Sequence, residues 1–370
     1  MKLFIHKDIE YKFTRYPETS NKSLRAWSAA DEYVLLKVKE LEQTPKKIAI
    51  YNDRFGFLSC TLNEHRPLVV VDRKSQQRSI ELNMKINEQQ WDQKQLHLTL
   101  SELPEKVDIG IINIPKTMDL FELYLNHLSR SLSENGIAIC SFMTKYFSPQ
   151  MLSIAGKYFE EVEQSRARKK ARLLILKKKT KRPKKELIHT IPYAFEEEGK
   201  EELRQYFGVF SSGNIDYATQ LLIEKLKLGS EDKKIMDLAS GNGVIARAIQ
   251  LKDPEAEIHL MDDSLLAIES SKLNLDPVNT HFHWNDTLKD FEANYFDLII
   301  SNPPFHLGHE TNIEVSIGLF KDVADILKPT GRFMCVANRH LNYKSHLTKN
   351  FSRVDIVEQN KKYVVYKAEL

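Results

Sequence analysis

The 370-residue sequence carries one series of landmarks twice, and this repetition limits what the chain can fold into. Residues 48–62 (IAIYNDRFGFLSCTL) align with residues 235–249 (IMDLASGNGVIARAI), and in both an apolar strand leads through a polar turn into an apolar helix. Four landmark pairs follow one order at offsets of 187, 190, 189 and 195 residues: Gly56 and Gly243, Asp72 and Asp262, Asn113 and Asn302, and Gly136 and Gly331. Ordered matches of this kind indicate a duplicated domain of about 180 residues.

Each copy alternates short apolar strands with amphipathic helical stretches, for example NHLSRSLSENG and GLFKDVADILKPTG. This alternation is typical of βαβ units and a parallel sheet. At the end of each copy, a helix and two strands joined by a tight turn predict an antiparallel hairpin at the sheet edge. We therefore expect an α/β protein with two tandem Rossmann-like domains, each a mostly parallel, doubly wound sheet. The predicted domains are residues 1–178 and 196–370, with a basic linker at 179–195.

The composition, 42% hydrophobic and 28% charged, is that of a globular protein, and the length suits two domains. The first residues lack a signal-peptide core, and no uncharged apolar run reaches the roughly eighteen residues that cross a bilayer. We therefore predict a cytoplasmic protein that does not enter a membrane. Cys60, Cys140 and Cys335 lie far apart, with no CxxC and no histidine at ligand spacing. This favours reduced thiols over a disulfide framework or a zinc site, and we predict no metal.

Positive charge is concentrated in one segment. Residues 166–185 (RARKKARLLILKKKTKRPKK) contain twelve Lys or Arg and no acid, whereas the whole chain has a net charge of only +3. Such a segment can be a solvated tail or linker, or a stripe that binds nucleic acid phosphates. Its middle part, ARLLILKKK, alternates like a strand, which indicates that some of the basic surface is folded.

The second copy contains a candidate nucleotide-binding loop. KIMDLASGNG predicts a strand that ends near Asp237, then a turn and the start of a helix. Gly241 and Gly243 allow the backbone to approach a ligand closely at the helix N-terminus. Asp262 ends the second strand about 20 residues later, where a carboxylate can bind both hydroxyls of a ribose.

A Rossmann dehydrogenase would satisfy the same loop and acid, although Ala239 stands where a full GxGxxG motif has its first glycine. After a predicted third strand, WNDTL places Asn285 and Asp286 where they can bond the exocyclic amine of an adenine. An ordinary turn explains that pair equally well. These residues alone therefore do not separate a dehydrogenase from other nucleotide-binding enzymes.

The fourth strand separates these interpretations, because a dehydrogenase has no need of the NPPF that ends FDLIISNPPFHLG. Two consecutive prolines keep Asn302 and Pro303 extended. The Asn302 side-chain oxygen and the Pro303 carbonyl can then accept the two hydrogens of an sp² amine. Phe305, which follows Pro304, can stack on the flat group that carries the amine. We predict in-line methyl transfer from a sulfonium to an exocyclic amino nitrogen.

Through DLASGNG, Asp262 and SNPPFH, the second copy resembles class I S-adenosylmethionine-dependent N-methyltransferases. From Phe13 onward the chain resembles the bacterial ribosomal RNA guanine-N2 methyltransferases, the large-subunit group G more than the small-subunit group C. This resemblance rests on RAWSAADEYVLLKV, NDRFGFLSCTL, IPKT, NPPFH and VANRHLNY. It implies a seven-stranded class I methyltransferase fold in each half, S-adenosyl-L-methionine as the donor, and 23S rRNA as the substrate of the C-terminal half.

The resemblance also implies roles for individual residues. The donor loop would be Asp237, Gly241 and Gly243, with Asp262 on the ribose, Asn285 and Asp286 at the adenine, and Asn302, Pro303, Pro304 and Phe305 at the guanine. Phe210 and Ser211 would close over the donor, and Asp216 would cap the next helix. The loop reads ASG where the family usually has GCG, and SSGNID lacks the usual arginine after Phe-Ser, so we expect weaker donor binding.

The first copy has Ile50 at the position of Asp237 and Arg54 at the position of Gly241. We expect this half to bind no donor and to contribute RNA contacts together with the basic segment. The prediction for the whole chain is methylation of guanine N2 in 23S rRNA by a monomer. The alternatives are 16S rRNA guanine N2, DNA adenine N6 or a protein glutamine amide as the acceptor, and, least favoured, a non-catalytic RNA-binding factor.

Overall fold

The computed structural model of the chain describes residues 1–41, 46–181, 186–195, 199–303, 306–307, 310–311 and 313–370. The chain divides into two compact units, Met1–Glu186 (unit 1) and Leu187–Leu370 (unit 2). The boundary lies within the segment predicted as a linker, 179–195, but the later part of that prediction is wrong. Ile188–Phe195 forms a strand, because its alternating pattern buries Ile191 and Phe195 in the core of unit 2.

The strands of unit 1 are β1 (Lys2–His6), β2 (Ile9–Phe13), β3 (Ile48–Tyr51), β4 (Leu68–Val71), β5 (Leu96–Leu98), β6 (Val107–Asn113), β7 (Leu132–Met143), β8 (Phe159–Gln164) and β9 (Ala171–Lys179). Its α-helices are α1 (Ala29–Leu41), α2 (Phe57–Thr61), α3 (Lys74–Ile86), α4 (Met118–Ser131) and α5 (Pro149–Tyr158). Short 3₁₀ turns lie at Asn63–His65, Gln93–Gln95 and Thr144–Tyr146. The strand predicted inside the basic segment is therefore confirmed as β9.

The strands of unit 2 are β10 (Ile188–Phe195), β11 (Gly199–Tyr206), β12 (Lys234–Leu238), β13 (Glu257–Asp262), β14 (Thr280–Trp284), β15 (Phe296–Ser301), β16 (His306–Leu307), β17 (Glu310–Thr311), β18 (Leu327–Asn338), β19 (Arg353–Gln359) and β20 (Tyr363–Glu369). Its α-helices are α6 (Tyr217–Glu224), α7 (Val244–Lys252), α8 (Leu265–Ser271), α9 (Ile313–Ile326) and α10 (Lys344–Leu347), with a 3₁₀ turn at Arg339–Leu341. None of the described helices is long and apolar enough to span a bilayer.

Each unit contains a seven-stranded sheet among its described residues. The strand order is β5-β4-β3-β6-β7-β9-β8 in unit 1 and β14-β13-β12-β15-β18-β20-β19 in unit 2, which is the same order in both. The first five strands of each sheet are parallel, and the last two form an antiparallel hairpin at the edge. The predicted fold, a duplicated and mostly parallel sheet with a terminal hairpin, is confirmed.

The strand registers support most of the sequence alignment between the two halves. Ile48 pairs with Ile109 in unit 1, and Ile235 pairs with Leu298 in unit 2, at the predicted offsets of 187 and 189. The match of Asp72 with Asp262 is wrong by one residue. Tyr51 pairs with Val70 whereas Leu238 pairs with Met261, so the residue equivalent to Asp262 is Val71.

Helices cover both faces of the sheet in unit 2, because successive residues of its strands enter two separate cores. On β18, for example, Met334 and Val336 join the core beneath α6 and α7, while Phe333 and Cys335 join the core beneath α9 and α10. Short runs that are apolar at every position produce this arrangement, which is typical of parallel strands. The carboxyl ends of β12, β13, β14 and β15 therefore meet at one edge of the sheet, where ligands bind in open α/β folds.

Candidate active site

The loop after β12 contains three residues in the left-handed region. The φ angles are 62° at Ala239, 56° at Gly241 and 80° at Gly243, and Gly243 is the N-cap of α7. Two of the three positions recur in unit 1, where Asn52 has a φ of 57° and Gly56 a φ of 75°, but Arg54, equivalent to Gly241, is not left-handed. The two ends of the loop therefore keep the conformation of the duplicated fold, and the position of Gly241 differs between the halves.

The two glycines of the unit 2 loop have different roles. A Cβ added to Gly241 would meet nothing within 4 Å, so this position opens onto space that a ligand can fill. A Cβ added to Gly243 would lie 2.7 Å from Leu275 Cδ1 and 2.8 Å from Ser271 Cβ. Gly243 thus allows α7 to pack closely against the residues around α8, as Gly56 does against Ile80 in unit 1.

Asp237 is completely buried at the end of β12. Its Oδ2 accepts a hydrogen bond from the backbone N–H of Ala246 at 3.1 Å, and its Oδ1 has no hydrogen-bond partner in the described part of the chain. Burial, followed by the charge of Asp262, raises the pKa of Asp237 to about 7. A buried carboxylate oxygen without a hydrogen-bond partner costs folding free energy. A hydrogen-bond donor on a bound ligand would therefore stabilise this site.

Asp262 lies beside the same loop. Its Oδ2 accepts from the Gly241 N–H at 3.0 Å, and its Oδ1 accepts from the Ser264 N–H at 2.8 Å. Its backbone carbonyl accepts from the Asn285 N–H at 3.1 Å. The structure therefore brings Asp237, Gly241, Asp262 and Asn285 together, as the sequence predicted.

The side chain of Asn285 is engaged within the chain. Its Nδ2 donates to Asp290 Oδ2 at 2.7 Å, and its Oδ1 accepts from the Asp286 N–H at 3.0 Å. Asn285 and the adjacent Asp286, which is half-buried, remain the residues predicted to meet an adenine.

Asn302 follows the last residue of β15. Its Nδ2 donates to Thr219 Oγ1 at 2.9 Å and to Asp216 Oδ2 at 3.3 Å. Asp216 is the N-cap of α6, with its Oδ2 accepting from the Ala218 N–H at 3.0 Å, which confirms its expected capping role. Pro303 is buried beside Asn302. Pro304 and Phe305, the other two predicted substrate-binding residues, lie outside the described residues.

Gln205 joins the candidate site, although no motif in the sequence indicated it. It is fully buried, its Nε2 lies 3.4 Å from the carbonyl oxygens of Phe210 and Ser211, and its Oε1 accepts from Asn242 Nδ2 at 2.9 Å. Gln205 therefore ties the segment predicted to close over the donor to the donor loop. The Phe210 side chain is 71% exposed, which leaves it able to cover a ligand. The available signal was a polar residue at an inward position of the alternating strand β11.

Unit 1 keeps the asparagine at the end of the fourth strand but changes its hydrogen bonds. Its Asn113, equivalent to Asn302, donates from Nδ2 to Asp31 Oδ1 at 2.8 Å, but its Oδ1 accepts from the hydroxyl of Ser141. The registers of β7 and β18 place equivalent residues 195 positions apart. The residue equivalent to Ser141 in unit 2 is therefore Val336, which has no hydroxyl. In unit 1 the acceptor that would receive a substrate amine is therefore already bonded.

The donor loop of unit 1 is also closed by its own side chains. Buried Asp53 accepts from both the N–H and the hydroxyl of Ser59 at 2.7 Å, at the helix position equivalent to Ala246. Burial raises the pKa of Asp53 to about 6. The buried carboxylate of unit 1 thus lies in the loop, whereas that of unit 2 lies at the end of the strand. Arg54 stands in place of Gly241, and Val71 stands in place of Asp262.

The chain is similar to known proteins over both units. A family model described as the RLMG N-terminal domain matches residues 1–182, and one described as the methyltransferase small domain matches residues 200–367. The chain is 32% identical to ribosomal RNA large subunit methyltransferase G of Psychromonas ingrahamii, covering 96% of this chain and 95% of that protein. The protein of the same name from Shewanella putrefaciens is 31% identical, with 98% and 97% covered.

Among solved structures, the fold matches a T. thermophilus 16S rRNA N2 G1207 methyltransferase in complex with AdoMet and guanosine. The TM-score is 0.78, the identity is 19%, and the match covers 100% of this chain and 97% of that one. At this identity the likeness shows the shared fold alone.

Proposed function

Because the chain belongs to the ribosomal RNA large subunit methyltransferase G family, we propose that it transfers a methyl group from S-adenosyl-L-methionine to the exocyclic N2 of a guanine in 23S rRNA. The observation that carries this proposal is the fixed amide of Asn302. With Nδ2 bonded to Thr219 and Asp216, the carbonyl Oδ1 is the amide atom that can accept from an amine. An enzyme on ribosomal RNA would work in the cytoplasm.

The residues of unit 2 fit the donor. The space beyond Gly241 can admit a ligand, the unpartnered Oδ1 of Asp237 can accept from a donor amino group, and Asp262 lies where a ribose would be bound. Phe210 and Ser211 would cover the bound molecule, with Gln205 holding their backbone. The donor supplies an electrophilic methyl group on a sulfonium.

The residues after β15 would act by positioning. Asn302 Oδ1 and the Pro303 carbonyl would accept the two N2 hydrogens of the guanine and so direct the nitrogen lone pair at the methyl group. Phe305, following Pro304, would stack on the base. Guanine N2 lies on a pairing edge, so the nucleotide would be unpaired or extruded when it reacts.

Unit 1 would bind RNA and no donor. Arg54, Asp53 and Val71 stand where unit 2 has the residues of the donor site, and the Asn113 acceptor is already bonded. The basic residues of β9 and the preceding turn are largely exposed. Beside that turn is a groove lined by Tyr33, Leu36, Lys39, Glu40 and residues 166–168. An aromatic ring between basic side chains suits a nucleotide and its phosphates.

The test is transfer of labelled methyl to protein-free 23S rRNA, 16S rRNA and a release-factor protein. The variants are Asn302→Ala and, as its matched control, Asn113→Ala at the equivalent position of unit 1. Label recovered as N2-methylguanine in 23S rRNA, lost in Asn302→Ala and retained in Asn113→Ala, supports the proposal. Label confined to 16S rRNA or to protein moves the acceptor to another guanine or to a glutamine amide.

The number of S-adenosyl-L-methionine molecules bound per chain tests whether unit 2 alone binds the methyl donor. Calorimetry of the full chain should find one S-adenosyl-L-methionine site, which Asp262→Ala abolishes. A second site that persists in Asp262→Ala would contradict the assignment of unit 1 to RNA alone. No binding in the wild type would point to Ala239 and Ser240, the departures from the usual family loop.

A further inference from the structure

Three side chains from two neighbouring strands of unit 2 converge on one point of the sheet. Glu257 and His259 are alternate residues of β13, so they lie on one face, and His259 pairs directly with His281 of the edge strand β14. One ligand atom from each of the three lies within 4.8 Å of the others. We propose that Glu257, His259 and His281 bind a divalent transition-metal ion, with water as the fourth ligand.

The distances fit a tetrahedral ion. Bond lengths near 2 Å place neighbouring ligand atoms about 3.4 Å apart around Zn²⁺. Here His259 Nε2 lies 2.9 Å and His281 Nε2 lies 4.0 Å from Glu257 Oε1, so the observed separations bracket the required one. The ligand atoms of the two imidazoles lie within 4.8 Å of each other. The 2.9 Å pair is a hydrogen bond, which the ion would replace.

The surroundings resemble the outer shell of a metal centre. His259 Nδ1 lies 3.0 Å from His283 Nε2, and a hydrogen bond to that imidazole would orient the His259 ring, as outer hydrogen bonds orient metal-bound histidines. Glu257 Oε1 also accepts from the Tyr295 hydroxyl at 2.8 Å, which orients the carboxylate. Lys234 lies 3.9 Å from the other oxygen, Oε2, and so does not occupy the proposed ligand atom.

The ligand set indicates which ions would bind. Two imidazoles and one carboxylate suit Zn²⁺ and its first-row neighbours, whereas Mg²⁺ prefers oxygen ligands and retains its waters. His259 is 7% exposed and lies against the rings of Phe296 and Tyr295, while His281 is exposed, so the ion would be reached from the solvent side of β14.

The ion would clamp the edge strand β14 to β13. These strands end at Asp262 and Trp284, and Asn285 follows immediately, so the clamp would brace the part of the sheet that carries the ribose and adenine side of the candidate site. Its role is structural, because none of the three ligands lies in the loops where methyl transfer is proposed.

The test is calorimetric titration of the tag-free full-length protein with ZnCl₂, with metal analysis after dialysis. We expect one Zn²⁺ per chain and no binding of Mg²⁺. His281→Gln, at an exposed position that the fold tolerates, should weaken binding about 100-fold or more. His283→Gln keeps all three ligands and should weaken it by about ten-fold through loss of the outer hydrogen bond.

The matched control is His65→Gln in unit 1. His65 Nε2 lies 3.6 Å from Glu64 Oε1, and the two belong to no three-ligand group among the described residues, so this variant should bind zinc as the wild type does. Co²⁺ substitution should produce tetrahedral absorption bands without thiolate charge transfer. Absence of binding, an unchanged affinity in His281→Gln, an equal loss in His65→Gln, or a thiolate band would each overturn the proposal. None of these readouts depends on methyl transfer.

Discussion

Asn302 donates from Nδ2 to the hydroxyl of Thr219, 2.9 Å away, so the amide nitrogen and not the carbonyl oxygen faces α6. If Asn302 Oδ1 receives the substrate amine, Thr219 determines its orientation without touching the substrate. Removing the hydroxyl should therefore reduce the rate of methyl transfer and leave donor binding unchanged.

The variant Thr219→Val tests this positioning role. Loss of one hydrogen bond worth about 1 kcal/mol should lower kcat about five-fold. Thr61→Val serves as the control and should retain kcat. It removes a buried hydroxyl on a helix of unit 1, where the Thr61 hydroxyl donates to a backbone carbonyl. Single-turnover rates and donor affinity measured on both variants separate the effects. A weaker donor affinity with unchanged kcat in Thr219→Val would be incompatible with this role.

Asp237 should make the stability of unit 2 depend on pH. Its pKa rises from 3.8 in the unfolded chain to about 7 in the folded one, so folding favours the protonated form. The resulting stabilisation is complete below about pH 4 and is lost as the pH rises through 7. Relative to the wild type, Asp237→Asn should therefore become more stable as the pH rises, by up to about 4 kcal/mol at pH 8.

The measurement is urea denaturation at pH 5 and pH 8, followed by hydrogen exchange of peptides from unit 2. Asp8→Asn, an exposed change of the same charge in unit 1, is the control. A stability difference between Asp237→Asn and wild type that does not change with pH would show that the carboxyl is ionised throughout.

The two loop glycines should respond differently to alanine. Gly241→Ala places its methyl group in open space and costs only the left-handed backbone penalty of about 1–2 kcal/mol, but it should abolish donor binding if the donor occupies that space. Gly243→Ala adds a clash with Leu275 and Ser271 and should cost about 2–4 kcal/mol. Thermal unfolding and donor titration of both variants measure the two effects, and a donor-binding Gly241→Ala would remove this loop from the proposed site.

Asn83 and Asn274 should anchor a hairpin in each unit. Asn83 donates to the carbonyls of Thr14, Phe55 and Ser79, and Asn274 donates to those of Arg204, Asn242 and Ser270. Each side-chain oxygen also accepts from the backbone N–H of the residue it anchors. Alanine at either position leaves these groups unpaired, at a cost of about 1–3 kcal/mol or more.

Hydrogen exchange should reveal which hairpin each asparagine anchors. Asn274→Ala should speed exchange in β10 and β11, and Asn83→Ala should do so in β1 and β2, each within its own unit. Because Asn274 also bonds the Asn242 carbonyl of the donor loop, only Asn274→Ala should weaken donor binding. Equal effects on donor binding from both variants would contradict this assignment.

Sequence alone determined the features that are local along the chain. Strand and turn periodicity predicted the duplicated sheets, Asp216 was expected as a helix cap, and the spacing of Asp237, Gly241 and Asp262 placed them at one sheet edge, as the structure shows. These features follow from backbone geometry, which repeats wherever the local pattern repeats.

Only the tertiary structure decided what depends on contacts between distant segments. The registers of β4 and β13 moved the equivalent of Asp262 from Asp72 to Val71, because unit 2 has four more residues than unit 1 between its first two paired strands and a sequence match contains no information on strand pairing. The bond from Ser141 to Asn113 and the convergence of His259 with His281 likewise join residues that are 28 and 22 positions apart. Side-chain packing across the sheet sets these neighbours, and that packing exists only once the strands have paired.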